Sequence, residues 1–158
     1  MKKSRIVAVL GGILGATGIG CGYKLISKEL RLKDKEKEKF QSYYNLLNRW
    51  LLVQQNGNSL EEFFLENGYH SVAIYGMGEM GKRLAEQLKD SKVEVKYAVD
   101  QEAGGEYLGI DILEKTDVLP EADVMIVTAI FAFDEIQEEM SQYYNGEIMS
   151  LEEVVFSA

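Results

Sequence analysis

The sequence predicts an α/β protein in which a doubly wound, mostly parallel sheet follows a transmembrane helix and an amphipathic helix. Three observations carry this prediction. Short β-prone runs alternate with helical segments after about residue 70. A glycine-rich turn joins the first of these runs to a helix. An uncharged segment of eighteen residues, from Ile6 to Tyr23, lies near the start of the 158-residue chain.

Charge divides the chain into two unlike parts. Residues 1–39 contain ten Lys or Arg and four Asp or Glu, a net charge of +6, whereas the other 119 residues contain 7 bases and 22 acids, a net charge of -15. Such a split indicates separate environments for the two parts. The total of -9 argues against general nucleic-acid binding. With one Cys and one His, neither a disulfide framework nor a multi-histidine metal site is expected.

The uncharged segment at residues 6–23 predicts an uncleaved membrane anchor within residues 1–27. As a helix it would rise about 27 Å, close to the hydrocarbon thickness of a bilayer. Its six glycines are costly in a water-exposed helix but tolerated in a membrane helix. A cleaved signal peptide ending near Gly20 and a lipoprotein using Cys21 are the alternatives. Against a signal peptide, the Lys-rich run that follows is not typical of the N-terminus of a mature secreted domain. Against a lipoprotein, the Leu-like residue that is usual three positions before the cysteine is missing before Cys21.

The anchor also predicts an orientation and a self-association surface. Three Lys or Arg precede the anchor and seven follow it. The positive-inside rule therefore places the C-terminal part on the cytoplasmic side of a bacterial-type inner membrane. Small residues at four-residue spacing would let a second copy of the helix pack closely, which makes a homodimer a candidate. These residues are Ala8, Gly12, Ala16 and Gly20.

Residues 28–58 predict a charged stalk followed by an amphipathic helix. Charges of both signs alternate over 28–39, as is typical of a solvated helix. From Phe40 to Val53 apolar residues recur at three- and four-residue spacing, which predicts a helix with a wide apolar face packed in the core. Gly57 would end this helix. Ser59 and Glu62 form a capping box that begins a short helix in the last predicted domain, 59–158.

The motif with the clearest chemistry is a G-x-G-x-x-G turn between the predicted strand 71–75 and the predicted helix 82–89. Gly76 would permit the tight turn, Gly78 would let a pyrophosphate approach the backbone, and Gly81 would let the helix pack on the strand. The helix N-terminus would offer free amides and a positive dipole to the phosphates. Glu79 is a complication, because in the first turn it would repel a phosphate unless Lys82 and Arg83 offset its charge.

A second predicted strand, 93–99, ends in Asp100, 24 residues after Gly76. This is about where a Rossmann unit places the carboxylate that binds the ribose hydroxyls. Because Asp100 would repel a 2′-phosphate and no Arg follows it, NAD fits better than NADP. The interpretation of Asp100 as a plain strand-end residue remains open. The predicted cofactor-binding residues are Gly76, Met77, Gly78, Glu79, Met80, Gly81, Asp100 and Thr128.

The remaining segments complete a Rossmann-like pattern. A short strand is predicted within 107–113, a buried parallel strand at 124–129, a helix at 134–140 and a last strand at 146–150. Ser150 would begin a final helical turn. Because ligands bind at the carboxyl ends of such strands, Thr128 should lie beside the glycine-rich turn, either binding a ligand or only finishing its strand.

No catalytic residue is assigned. A Tyr-x-x-x-Lys pair is absent from the loops expected at the crevice. His70 precedes the first strand, at the end opposite the crevice, and Cys21 falls in the predicted span. Enzymatic activity by this chain alone is therefore uncertain.

The segments 72–81, 99–100 and 122–128 resemble small Rossmann domains encoded with bacterial surface-polysaccharide enzymes, similar to the N-terminal domains of sugar acyltransferases and of membrane-bound nucleotide-sugar dehydratases. The resemblance implies that the turn and Asp100 contact NAD, a related adenine nucleotide or a nucleotide-sugar. It implies a membrane-anchored binding or regulatory component of polysaccharide biosynthesis. Two alternatives stay open: an NAD-dependent oxidoreductase completed by a partner chain, and a nucleotide-sensing domain like those that regulate potassium transporters.

Overall fold

The computed structural model describes the backbone of residues 16–158 and the side chains from residue 30 onward. Most of the predicted span 6–23, with Ala8 and Gly12 of the small-residue stripe, lies outside the described residues. The first described helix, α1, covers Ala16–Gln55 and includes Ala16 and Gly20. None of the helices in the described part of the chain is long and apolar enough to cross a membrane.

Helix α1 is shared between two compact units. The first unit ends at Gln41 and the second covers Ser42–Ala158. In the first unit, every side chain from residue 30 to residue 41 is exposed. This exposure agrees with the alternating charges of the segment, because charged side chains stay hydrated on a solvent-exposed helix.

The second unit alternates strands and helices. After residues 42–55 of α1 the chain forms α2 (Leu60–Glu66), β1 (Ser71–Tyr75), α3 (Glu79–Leu88), β2 (Glu94–Val99), β3 (Gly105–Tyr107), β4 (Ile110–Leu113), β5 (Val124–Val127), a 3₁₀ turn (Ile130–Ala132), α4 (Phe133–Met140), β6 (Glu147–Ser150) and α5 (Leu151–Ser157). The Ser59 capping box is confirmed, since the Glu62 amide donates to the Ser59 hydroxyl oxygen at 3.2 Å and the Ser59 amide donates to the Glu62 carboxylate at 3.3 Å.

The strands form one six-stranded sheet in the order β3-β4-β2-β1-β5-β6. Every neighbouring pair is parallel except β3 and β4. From β1 the chain moves outward to β2 and β4, then returns to the other side of β1 for β5 and β6. The predicted mixed α/β fold with a mostly parallel sheet is therefore confirmed, and the strand order reverses between β1 and β5.

The short strand predicted within 107–113 is confirmed as β4, but the prediction missed the hairpin that this strand forms with β3. Strands β3 and β4 pair antiparallel around Leu108 and Gly109, whose φ angles are 54° and 79°. Two consecutive positive φ angles make the tight turn that suits the twist of a hairpin. Leucine rarely adopts this conformation, so the residue types gave no hairpin signal.

Apolar layers cover both faces of the sheet. On one face, Val72 and Ile74 of β1 pack in a core with side chains from α1, α2, α3 and α5. On the other face, Ala73 packs with Val99 and with Met140 of α4. The two-residue alternation along β1 thus divides its side chains between two cores, which explains why nearly all of this strand is apolar.

The apolar face predicted for α1 is only partly buried. Leu46, Trp50 and Val53 are 5% exposed or less, as predicted for core residues. Tyr44 and Leu51 are 60% and 52% exposed, although they belong to the same predicted face. One side of this helix fills the core and a second apolar side faces outward.

Candidate functional site

Three neighbouring strands end together at the carboxyl edge of the sheet. Tyr75 pairs in register with Val99 on one side and with Val127 on the other. The next residue of each strand therefore lies at the same edge: these residues are Gly76, Asp100 and Thr128. Their predicted proximity is confirmed by the register of the sheet.

Gly76 is required by the geometry of the turn. Its φ is 95°, and a Cβ there would lie 2.7 Å from the Thr128 Oγ1 atom. Its amide donates to the Val99 carbonyl at 2.8 Å. The buried Thr128 hydroxyl donates to the carbonyl oxygens of Gly76 and Tyr75, at 2.8 and 3.2 Å. Thr128 therefore holds the turn in place.

Gly81 is required by close packing. A Cβ at this position would lie 2.1 Å from the Gly76 carbonyl oxygen, a distance that no backbone can accept. The absence of a side chain lets α3 begin directly against the end of β1, as the motif predicts. Two of the three glycines are thus explained by the fold of the chain itself.

Gly78 has no comparable structural reason. Its φ is -65°, which any residue can adopt, and a Cβ there would meet nothing within 4 Å. Gly78 is exposed and lies at the N-cap of α3 without a side-chain cap. The space beside this residue is open to an approaching group.

The first turn of α3 presents unused donors beside Gly78. The Lys82 amide donates to the Gly78 carbonyl at 3.0 Å, which is the first bond of the helix. The amides of Gly78, Glu79 and Met80 donate to no backbone carbonyl in the described chain, as expected at a helix N-terminus. These donors and the helix dipole favour an anion at this position.

The Asp100 carboxylate links the second strand to the turn. One oxygen accepts the Met77 amide at 2.6 Å, and the other accepts the Glu102 amide at 3.0 Å. Because each carboxylate oxygen can accept about two hydrogen bonds, each keeps capacity for one more donor. The side chain is half-buried, so this capacity is open at the edge of the sheet.

The side chains of the turn itself divide between packing and solvent. Met77 is 6% exposed and Met80 is half-buried, so both side chains pack in the core and only their backbone faces the turn. The Glu79 carboxylate is 75% exposed and lies 3.8 Å from the Arg83 guanidinium. Arg83 therefore offsets part of the repulsion that Glu79 would exert on an anion.

A polar network on α3 was missed by sequence reasoning. The Tyr107 hydroxyl of β3 donates to Glu86 at 2.7 Å, and Glu86 pairs with Arg83 at 2.9 Å. The Lys82 ammonium lies 5.7 Å from the Tyr107 ring centroid. The bond from Tyr107, and then that from Arg83, lowers the pKa of Glu86. Glu86 and Tyr107 are 21 residues apart, so no local sequence pattern signals their contact, which depends on the position of the hairpin.

A second missed cluster lies on the opposite face of the sheet. The Lys115 ammonium makes a hydrogen-bonded ion pair with Glu139 of α4, which raises the pKa of Lys115. Burial, and then the charge of Glu139, raises the pKa of the nearby Tyr75 phenol. This cluster ties the loop after β4 to α4.

At the amino edge of the sheet, polar groups form hydrogen bonds with one another. One Asp123 oxygen accepts the amides of His70 and Ser71, both at 2.8 Å, and the Ser71 hydroxyl at 3.0 Å. These bonds hold the pKa of the Asp123 carboxyl below its usual value. His70 is exposed and lies at the end of β1 opposite the turn, where the sequence placed it.

The fold and site together define an α/β domain with a glycine-rich turn, free helix amides and a strand-end carboxylate at one edge. A family model described as C2185-like, N-terminal, matches residues 68–148. The chain belongs to this family. The matched region contains the turn, Asp100 and Thr128. Neither the curated proteins nor the solved structures gave a match to this chain.

Proposed function

We propose that this protein is a membrane-anchored module whose Rossmann-like, doubly wound domain binds NAD or a related nucleotide. The strand order supports this proposal, because it reverses between β1 and β5, where the turn and Thr128 lie. In open α/β sheets, ligands bind in the crevice at such a reversal. Helices on both faces of the sheet are also typical of doubly wound folds.

The observation that carries the proposal is the open space at Gly78. Gly76 and Gly81 are explained by a positive φ and by a close backbone approach, but Gly78 is explained by neither. A phosphate drawn to the free amides of α3 would come close to this residue. A glycine there leaves room for that approach.

Asp100 supports a nucleoside as the neighbouring part of the ligand. Its two oxygens already accept the Met77 and Glu102 amides, and each can accept a ribose hydroxyl as well. A 2′-phosphate would instead meet a carboxylate. We therefore expect NAD, NADH or ADP-ribose to bind more tightly than NADP.

The test is a calorimetric titration of the full chain in detergent with NAD, NADH, ADP-ribose and nucleotide-sugars. We expect Gly78→Ala to weaken binding at least about tenfold, since 1.4 kcal/mol of steric cost has that effect. Gly105→Ala is the matched control, because Gly105 also lacks a positive φ and has nothing within 4 Å of its Cβ position. Gly105→Ala should bind like the wild type.

Two results would overturn the proposal. The first is no heat of binding with any of these nucleotides in wild-type protein whose circular dichroism shows a folded chain. The second is equal affinity in the wild type and in Gly78→Ala, which would place the ligand away from the turn.

We extend the proposal to the cellular setting on the basis of the sequence. The segment 6–23 would anchor the chain in a bacterial-type inner membrane, with the nucleotide domain in the cytoplasm and Ala8, Gly12, Ala16 and Gly20 available for helix pairing. The resemblance to surface-polysaccharide proteins supports a binding or regulatory role there. If this is right, the full chain stays in the membrane fraction after an alkaline wash; its release would contradict the anchor.

An oxidoreductase completed by a partner chain is a separate possibility, and the purified chain tests whether catalysis needs that partner. Turnover of NADH by the purified chain would replace the binding role with a catalytic one. We expect binding without turnover, because the described residues at the carboxyl edge include no His or Cys beside the turn.

A further inference from the structure

The outward side of α1 in the second unit forms an apolar seam. Tyr44, Leu47 and Leu51 are 60%, 44% and 52% exposed, and they follow one another at spacings of three and four residues. This spacing places them on one face of the helix. Leu46 and Trp50, on the inward side, are 0% and 5% exposed. A helix that is apolar on both sides normally has partners on both sides.

The seam is free of charge in a strongly acidic domain. From residue 42 to residue 55 the only charged residue is Arg49, and it is half-buried. The residues after position 39 carry 7 bases and 22 acids in total. Two such domains repel each other over most of their surfaces, and the seam is a face on which they can meet without that repulsion. Depletion of charge, with aromatic residues such as Tyr44 present, is typical of the centre of a protein interface.

A groove beside the seam can receive side chains from a partner helix. It has a volume of about 420 Å³ and is lined by Leu47, Trp50 and Leu51 of α1 and by Arg83, Glu86 and Gln87 of α3. The Trp50 indole donates to the Gln87 side chain at 2.5 Å, so its polar atom is satisfied within the groove wall. Burial of the apolar side chains of the groove against a partner would be favourable, because it removes apolar surface from water.

We propose that a second copy of this chain docks on the seam, with the two α1 helices parallel. The spacing of Tyr44, Leu47 and Leu51 is that of alternating a and d positions in a coiled coil, where a parallel pair sets each residue against its own counterpart. An identical helix supplies the matching spacing and the same lack of charge. The parallel orientation, but not the choice of partner, rests on the proposed anchor, because two chains held in one membrane leave it in the same direction.

The test is the oligomeric state of the full chain in mild detergent, measured by sedimentation over a range of concentrations. We expect a dimer whose dissociation constant rises at least about 100-fold in L47E/L51E, since each variant chain places two carboxylates where apolar side chains were buried. Val118→Glu is the control, because Val118 is apolar, 97% exposed and outside the seam. This variant should dimerise like the wild type, and all variants should keep their circular dichroism and nucleotide affinity.

Disulfide trapping defines the orientation in a C21A background. Parallel helices place Leu47 against its counterpart, so L47C should form a disulfide-linked dimer in high yield, whereas V118C should not. A wild-type monomer at every concentration, or a dimer unaffected by L47E/L51E, would overturn the proposal. So would a dimer in which L47C forms a cross-link only with L51C of a second variant, since that result requires antiparallel helices.

Quenching of the single tryptophan distinguishes a second copy of the chain from a lipid surface as the occupant of the seam. Trp50 lines the groove and is the only Trp of the chain. In vesicles of zwitterionic lipid, a protein partner should shield it from lipids brominated in the acyl chain. Quenching of Trp50 by those lipids would show that the seam lies on the bilayer and would overturn the proposal. Photo-crosslinking from position 44 in cells to a different protein, without a homodimer, would do the same.

Discussion

The two edges of the sheet both carry an aspartate that accepts backbone amides, yet they leave different groups unused. At the amino edge, Asp123 closes the end of β1 by accepting the amides of His70 and Ser71 and the Ser71 hydroxyl. At the carboxyl edge, Asp100 accepts two amides, but the first-turn amides of α3 have no backbone acceptor among the described residues and Gly78 leaves open space. At the first edge the incoming amides meet an acceptor within the chain, whereas the amides at the second edge offer an anion a place.

This difference has a physical cause in the direction of the chain. Parallel strands place helix N-termini at their carboxyl ends, where amides lack acceptors and the dipole is positive. At the amino ends the chain arrives in loops, and a single carboxylate can satisfy the incoming amides. Substitutions at the two edges should therefore affect binding and stability differently.

Gly81→Ala should produce the largest loss of stability. Its Cβ would lie 2.1 Å from the Gly76 carbonyl oxygen, so α3 and the turn must separate. Overpacking usually costs 1–3 kcal/mol, and because this clash is with backbone we expect roughly 3 kcal/mol or more. Urea unfolding monitored by circular dichroism measures it. Gly78→Ala should cost only about 1 kcal/mol, the typical effect of a change to alanine at an N-cap. Equal losses in the two variants would refute the distinction between these glycines.

Asp100→Ala and Asp123→Ala should separate binding from stability. We expect Asp100→Ala to weaken NAD binding by about 10- to 100-fold, because two hydrogen bonds from ribose to a charged acceptor are lost. Asp123→Ala should leave NAD affinity within about twofold and lower the free energy of unfolding by about 1 kcal/mol, a modest value because the side chain is exposed. Calorimetric titration and urea unfolding of both variants provide the comparison. Reversed effects would show that the amino edge binds the ligand.

The amino edge should also contribute a pH dependence at low pH. Bonds from His70 and Ser71 lower the pKa of Asp123 in the folded chain. The stability from this group is therefore fully present above its unfolded pKa, near 3.9, and is lost as the pH falls through the lower folded value. Urea midpoints of the wild type between pH 5 and pH 2.5 should fall more steeply than those of Asp123→Asn. Parallel curves would contradict this assignment.

Glu79→Gln should have the smallest effect. Its carboxylate is 75% exposed and partly offset by Arg83, so its repulsion of a bound phosphate is weak and screened by salt. Removal of the charge should tighten NAD binding by about two- to threefold at low salt, and less at 0.5 M salt. Tighter binding by more than tenfold would mean that Glu79 directly opposes the phosphate.

The elements around the glycine-rich turn were predictable because their signals are local. Ser71–Tyr75, the glycine-rich turn, the following helix and Asp100 lie in consecutive order, and each has a residue pattern of its own. The hairpin around Leu108 was not predictable, because leucine with a positive φ gives no turn signal. The exposed seam of α1 was also missed, because the three- and four-residue spacing of apolar residues is the same whether a helix buries one side or two.

The sequence by itself determined the alternation of strands and helices, the glycine-rich turn and the position of Asp100 after its strand, since these depend on neighbouring residues. Only the tertiary structure decided which glycines the fold requires. Gly76 and Gly81 are constrained by atoms of Thr128 and of the turn backbone, and Gly78 is free of such constraint. That distinction depends on distances between segments far apart in the chain, which the spacing of residues along the chain does not contain.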